Sequence, residues 1–249
     1  RDGVGVSWAR VRMRVSLPPL SPEPPFSVRI PFLLLADGVT RLTLVRHAQQ
    51  VFPTEGEFDH TAWDDPMLTD LGRVQAAALA GMLSEQEIDV VVCSSMHRAK
   101  ETAEIIAFPL GLTPEVRPEF VEIASYRELE PGVNPQTLVD PEEWAAREQA
   151  FYRQVMWDHM FFGEGSAEFR ARIMGAIKKL IADYEGQHIV LVSHGGVINA
   201  VISEILGIEE DMFFLPSHCS VSRVWIKGDI RRVHSINESQ HLHDGIRTN

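Results

Sequence analysis

From Val39 onward the chain alternates between two hydrophobic periods. Short, nearly continuous apolar runs read as buried strands: RLTLVRH, ending at His47, DVVVCSS, and HIVLVSH, ending at His194. Between them, apolar residues recur at helical spacing. LTDLGRVQAAALAGMLSEQ has Thr69 as its candidate N-cap, and MHRAKETAEIIAFPLG is stopped by Pro109 and Gly111. SAEFRARIMGAIKKLIADYEG and GGVINAVISEILG complete the helical set, the latter opened by glycines. EVRPEF reads as a short edge strand, because Pro118 cannot donate to a central ladder. CSVSRVWIKGDIRRVHSIN reads as a hairpin turning at Lys227 to Asp229. Alternating strands and helices predict an α/β fold: a three-layer sandwich with a mostly parallel central sheet flanked by helices.

Two stretches break this rhythm. Residues 1–38 contain six of the chain's 15 prolines and read as an extended or disordered arm. Ala124 to Gly165 is rich in charge, aromatics and proline, and is expected to be an inserted helical lid. Its helix opens at Pro141, followed by EEWAAREQAFYRQVMW with acids in the first turn. Its aromatic residues, Trp144, Phe151, Tyr152, Trp157, Phe161 and Phe162, read either as the lid's own core or as the lining of an apolar pocket. The domain proper is placed at 39–237, followed by a mobile polar tail over 238–249. His234, His241 and His243 near that tail lack a carboxylate or cysteine partner at fixed spacing, so no metal is assigned to them.

Charge narrows the function. The net charge is -12, and because the first 38 residues carry five arginines against three acids, the remainder stands at -14. Such a body is a poor partner for nucleic acid or an anionic membrane, so any anionic ligand needs a local cationic pocket. Cys93 and Cys219 have no metal-ligand spacing and read as buried apolar residues, consistent with a cytoplasmic protein. No apolar run reaches the roughly 18 to 20 residues of a membrane-spanning helix, and IPFLLLADG is too short for a signal segment.

Candidate chemistry lies at the strand ends. In an open α/β sheet, ligands bind outside the carboxyl ends of the strands, so His47 and His194, 147 positions apart, should reach one rim. Gly195 and Gly196 follow His194 at a helix N-terminus, a place that favours an anion. Arg98 stands in the first turn of the helix after VVVCSS. Taken singly, these are a turn, a solvated strand end and a helix-surface charge. Together, after three buried strands, Arg46, His47, Arg98 and His194 describe a cationic cup for a phosphate dianion.

LVRHA, LTDLGRVQA, CSSMHRAKETAE, FVEI, GEGSAEFRARI and VLVSHGGVINAVISEILG, in this order over about Arg41 to Ile236, resemble the histidine phosphatase superfamily, in its phosphoglycerate-mutase-like branch. The resemblance implies a small phosphorylated substrate, His47 as nucleophile, and Arg46, Arg98 and His194 as phosphate-binding residues. It also implies a phosphohistidine intermediate and no metal or other cofactor. His194 would assist when protonated, a state that a neighbouring phosphate favours. The proton donor to the leaving oxygen would be Glu122 of FVEI, ahead of Glu119, expected on the opposite face of the strand, and of Glu128 and Glu130, expected to be solvated lid residues. A carboxyl beside phosphate holds its proton more tightly, which suits that task.

The sequence also departs from the family pattern. Ala48, Gln49 and Gln50 stand where Gly-Glu-Thr or Gly-Glu-Ser is usual, Pro53 replaces an asparagine of the mutases, and SYRELEPG replaces a Gly-x-Trp-Glu-Gly block. The AQQ stretch is therefore expected to begin this chain's own substrate preference. Mutases hold glycerate with an adjacent arginine pair in the middle segment, whereas here Arg147 and Arg153 are separated and Arg231-Arg232 lie in the last hairpin. Hydrolysis of a phosphomonoester is favoured, with mutase-type phosphoryl transfer and phosphate binding with little turnover as alternatives. A homo-oligomer is left open.

Overall fold

The computed structural model describes residues 37–52, 65–124, 129–130, 133–243 and 245–249. The proline-rich arm lies outside them except for its last two residues. Six strands form one sheet: β1 (Thr40–Arg46), β2 (Val90–Cys93), β3 (Glu115–Val116), β4 (His188–Ser193), β5 (Val221–Lys227) and β6 (Ile230–Glu238). Their order is β3-β2-β4-β1-β5-β6, with β1 to β4 parallel to one another and β5 and β6 antiparallel to their neighbours. The helices are α1 (Asp70–Leu83), α2 (His97–Ala107), α3 (Pro141–Gln154), α4 (Ser166–Asp183) and α5 (Gly195–Leu206).

Strand alternation sorts the core into two layers, because successive side chains point to opposite faces. Leu42, Leu44, Ile189 and Leu191 pack with Ile173 and Ile177 of α4 and Ile198 of α5. Val45, Val91, Val190 and Val192 pack on the other face with Leu79 and Leu83 of α1 and Ile106 of α2. The three-layer sandwich expected from the period changes is the observed architecture. β1 and β4 are paired through Arg46 and Ser193, yet the chain leaves them toward opposite faces, onto α1 after β1 and onto α5 after β4. A crevice opens where neighbouring strands part in this way.

Thr69 caps α1 as its pattern predicts, its hydroxyl accepting from Gly72 N at 2.9 Å. Gly72 is required there for a tertiary reason: a Cβ would sit 2.2 Å from the Gln49 carbonyl oxygen. The loop after His47 thus lies directly on the start of α1. The hairpin turns at Gly228 and Asp229, within the stretch marked for it, and EVRPEF pairs only at Glu115–Val116, on the sheet edge.

Two expectations need correction. The C-terminal tail is docked rather than mobile: Leu242 is buried, Gln75 Nε2 donates to Ile246 O at 2.7 Å, and His218 N donates to Thr248 O at 3.0 Å. Burial of Leu242 and pairing of otherwise orphaned polar groups give a nominally polar segment reason to order. Glu119 lies not on a strand face but in a 3-10 turn, Pro118–Phe120, because the strand ends at Val116.

The insertion between β3 and α4 contains its predicted helix, capped by Asp140, whose carboxylate accepts from Glu142 N and Glu143 N. No residue of α3 is buried. Its aromatics satisfy both readings. Trp144 stacks on Phe161 at 5.1 Å and Phe151 on Trp157 at 5.5 Å, while Trp144, Phe151, Tyr152 and Phe161 also line a cavity of about 200 Å³.

Candidate active site

β1 ends at Arg46 and β4 at Ser193, so the next residue of each strand, His47 and His194, lies at the carboxyl rim, with ring centroids 5.2 Å apart. Both are buried, His47 at 3% exposure and His194 at 0%. The Ala48 carbonyl, 2.8 Å from His47 Nδ1, can only accept, so Nδ1 carries the proton and donates. In the neutral ring Nε2 therefore holds the lone pair, and Arg98 Nε donates to it at 3.2 Å. Arg98 reaches the site from the first turn of α2, whose start is capped by Asp65. One Asp65 oxygen accepts from His97 N at 2.6 Å and lies 3.8 Å from Arg98 NH1.

Burial is the first cause holding the His47 imidazole well below its usual range, followed by repulsion from Arg98, His194 and Arg46. His194 is depressed in the same way, by burial, then Arg98, Arg46 and Arg172. Burial brings Arg46 down to about 10 against the opposing pull of Glu122, and Arg98 adds repulsion. The positive charge of the rim is thus carried by two guanidiniums, and both imidazoles are held neutral by their surroundings. A cup with charged histidines would require an anion to draw the proton in.

Glu122 lies beyond the 3-10 turn. Its Oε2 accepts from Gly196 N at 3.0 Å and its Oε1 from Ile123 N at 3.0 Å. A Cβ on Gly196 would lie 2.4 Å from Glu122 Oε1, so glycine at that position lets the carboxylate approach the helix start. The acceptor at the α5 N-terminus is therefore Glu122 itself, and the expected phosphate cup is left to side chains. Of the rival acids, Glu119 is half-buried in its turn, Glu130 is exposed, and Glu128 lies outside the described residues.

All five expected residues, Arg46, His47, Arg98, Glu122 and His194, come together at this rim. Several supporting residues were not foreseen. Ser94 meets His194 Nε2 at 2.9 Å, and Thr102 Oγ1 accepts from Ala48 N at 3.0 Å. Arg172 of α4 donates to Glu119 O at 2.7 Å and Val121 O at 3.1 Å while forking onto Glu164 at 2.6 and 2.8 Å, which pins the loop carrying Glu122. His218, in the turn before β5, lies 5.7 Å from the His47 ring, and Arg46 NH1 donates to the neighbouring Pro216 O. Ser94 and Thr102 stand inside stretches that mark the site, but their partners are remote in sequence. Arg172 lies in the GEGSAEFRARI block, though its partners are remote in sequence, and Asp65 and His218 carry no local signal.

The AQQ departure is largely structural. Gln49 N donates to Gln75 Oε1 at 2.9 Å and Gln49 Oε1 accepts from Thr69 Oγ1 at 2.8 Å, so this residue ties the loop to α1 rather than facing a substrate. Gln50 alone keeps a buried side-chain oxygen with no partner among the described residues. Pro53 lies outside them. Cys93 and Cys219 are free and buried. His234 stacks on Trp225 at 4.3 Å and His241 Nε2 bonds to Cys219 O at 2.9 Å. Among the described residues no group of three or more His, Cys, Asp or Glu side chains is placed to hold a metal ion, and no helix is long and apolar enough to cross a membrane.

Residues 42–239 match the model of the histidine phosphatase superfamily, branch 1. A metal-independent phosphoserine phosphatase of Arabidopsis thaliana is 30% identical over 175 residues, covering 67% of this chain and 69% of that protein. A probable phosphoglycerate mutase GpmB of Yersinia enterocolitica is 30% identical over 193 residues, covering 73% and 82%. The solved alpha-ribazole phosphatase of Shigella flexneri superposes with a TM-score of 0.62 at 26% identity, over 80% of this chain and 96% of that one.

Proposed function

The chain belongs to the histidine phosphatase superfamily, branch 1, and from that premise we propose that it is a metal-independent phosphomonoester hydrolase working through a phosphohistidine on His47. The observation that carries this reading is the tautomer of His47: with Nδ1–H committed to Ala48 O, Nε2 presents a lone pair into a rim whose only formal charges from the cup are the guanidiniums of Arg46 and Arg98. A neutral imidazole is the nucleophilic form, and depression of its proton affinity keeps it in that form at neutral pH.

In the first step Nε2 attacks phosphorus, the P–N bond forms, and the bond to the leaving oxygen breaks. Glu122, as the acid, gives that oxygen its proton. In the second step the Glu122 carboxylate takes a proton from water, the resulting hydroxide attacks phosphorus, and the P–N bond breaks to release inorganic phosphate and neutral His47. Arg46 and Arg98 hold the phosphoryl oxygens throughout, as planar donors that remain charged. His194 donates a hydrogen bond and accepts a proton more readily once the dianion is beside it. These side chains supply the electrostatic stabilisation that phosphoryl transfer chiefly needs.

A small phosphorylated substrate and a cytoplasmic setting belong to the same reading, supported by the acidic body, the local cationic rim and two free cysteines. Arabidopsis and Shigella relatives named as phosphatases support hydrolysis. The mutase-named relative supports phosphoryl transfer instead. Against it, Arg147 is turned to Glu143 and the Phe161 ring, while Arg231 and Arg232 sit in the β6 edge strand. Incubation with 3-phosphoglycerate, with and without 2,3-bisphosphoglycerate, decides between them. Release of inorganic phosphate is expected; isomerisation outpacing hydrolysis overturns the proposal. Glu122→Gln is expected to slow alkyl phosphates about 10²-fold and 4-nitrophenyl phosphate much less, because nitrophenolate leaves without a proton. Equal losses on both would remove Glu122 from the acid's role.

A further inference from the structure

His218 is buried to 1% exposure beside the nucleophile, its ring 5.7 Å from that of His47, and its Nε2 has no hydrogen-bond partner among the described residues. An unpartnered buried imidazole nitrogen is costly unless something occupies the space in front of it. Its other nitrogen is accounted for: Nδ1 lies 2.9 Å from Thr248 Oγ1. The same hydroxyl oxygen accepts from Gln75 Nε2 at 2.8 Å, and Gln75 Oε1 in turn accepts from Gln49 N, two residues after the nucleophile.

That chain of bonds admits one tautomer in particular. The amide Nε2 can only donate, so Thr248 Oγ1 accepts from Gln75 and keeps its own proton available to His218 Nδ1. With that proton given to Nδ1, the imidazole proton of the neutral ring sits on Nε2, the open nitrogen. His194 is built alike: Ser94 Oγ accepts from Met96 N at 3.3 Å and keeps its proton available to His194 Nε2, while His194 Nδ1 is buried with no partner among the described residues. Two imidazoles therefore flank His47, each with one nitrogen bonded to a hydroxyl and the other buried without a partner among the described residues. Burial and then Arg46 bring His218 down to about 3 against the opposing pull of the Thr248 backbone, so its ring stays neutral at working pH.

We infer that His218 is a phosphoryl ligand alongside Arg46, Arg98 and His194, donating Nε2–H to a phosphoryl oxygen, and that Thr248 in the docked C-terminal tail is the positioning residue that keeps the proton on that nitrogen. This rests on the phosphoryl-transfer reading of the rim. A neutral donor suits the place, because a third cation beside Arg46 and Arg98 would have to be desolvated against both. It also gives the ordered tail a task that reaches the active site through a single hydroxyl.

The test combines inhibition by inorganic phosphate, kcat/KM for 4-nitrophenyl phosphate, and ¹⁵N NMR of the imidazoles. In the parent, the His218 spectrum should show the proton on Nε2 and a shift of that nitrogen on adding phosphate. His218→Phe, keeping an aromatic ring but no donor, should raise the phosphate inhibition constant and lower kcat/KM about tenfold or more, the effect of one hydrogen bond to a charged acceptor. Thr248→Val should give a loss of about threefold with mixed tautomers, and Thr248→Ser, which restores the hydroxyl, should return to the parent.

A folded His218→Phe with parental phosphate affinity, a proton found on Nδ1, or parental behaviour of Thr248→Val overturns the inference while leaving the hydrolase reading intact. A parent that neither binds phosphate nor hydrolyses any phosphomonoester overturns the hydrolase reading, and this one with it. If His218→Phe fails to fold, the Thr248 pair and the parent spectrum decide.

Discussion

The carboxyl rim of the sheet and the insertion over 124–165 are built on opposite terms. At the rim, His47, Arg98 and His194 are buried and held from several elements at once: β1, β4, α2 and the loop before β5. In the insertion, α3 buries no residue, and the aromatic side chains stack on one another, with Trp157 alone of the stacked four also packing against the core. One region is over-determined, and the other is joined to the domain at a few points such as Glu164 and Trp157. Groups that must meet a reacting phosphorus have to be fixed closely, whereas a segment that shapes a pocket for the rest of a substrate is freer to vary.

Replacing His47, the proposed nucleophile, should break the rim most completely. His47→Ala is expected to lower kcat for 4-nitrophenyl phosphate at least about 10³-fold, with loss of the acid-labile ³²P-labelled adduct. A variant that hydrolyses like the parent would refute the assignment of His47.

The joint between the two regions comes next. Asp211, 2% exposed, accepts from Trp157 N at 2.8 Å and from Arg170 Nε at 2.8 Å, and bonds Ser166 Oγ; its own N–H donates to Val155 O at 3.1 Å. Asp211→Ala leaves Arg170 uncompensated and is expected to cost about 3 kcal/mol in chemical denaturation. An effect below about 0.5 kcal/mol would show that the insertion is not anchored there.

Acid should act on the rim before the insertion. His47, His194 and His218 all have folded proton affinities depressed by burial, so unfolding raises them toward 6.5. Above about pH 6.5 neither state binds these protons, and this contribution to stability is fully present. As pH falls below 6.5 the unfolded chain takes up protons the folded one refuses, and stability falls by about 1.4 kcal/mol per pH unit for each such imidazole. Melting temperature should therefore decline between pH 6.5 and 5, before carboxylates titrate, and less steeply in His218→Phe. A flat profile over that window would contradict buried neutral histidines.

The smallest effect on basic chemistry should come from the insertion itself. Trp144→Ala with Phe161→Ala removes the stacked pair that lines its cavity. Turnover of 4-nitrophenyl phosphate should stay within about threefold of the parent, while the ranking of phosphomonoesters by kcat/KM changes. Equal losses on every substrate would make the two regions one functional unit.

Period changes along the chain were sufficient for the layered sheet, because β1, β2 and β4 are buried on both faces and must be apolar throughout. The same logic placed His47 and His194 at one rim. The tail was misread because its composition is polar, while its order comes from Leu242 and from bonds to Gln75 and His218. Within AQQ, Gln49 looks available for a ligand until Gln75 and Thr69 are seen to use it.

By itself, then, the sequence determined where strands end and helices begin, and hence which histidines and arginines converge, since hydrophobic periodicity is a local property that each segment carries with it. Only the tertiary structure decided their states. The Ala48 carbonyl sets the tautomer of His47, Gly196 admits Glu122 to the start of α5, Arg172 pins the loop of that acid, and Thr248 brings its hydroxyl to His218. These are contacts between groups far apart in the chain, and proton positions and affinities follow from burial and neighbours that no local pattern encodes.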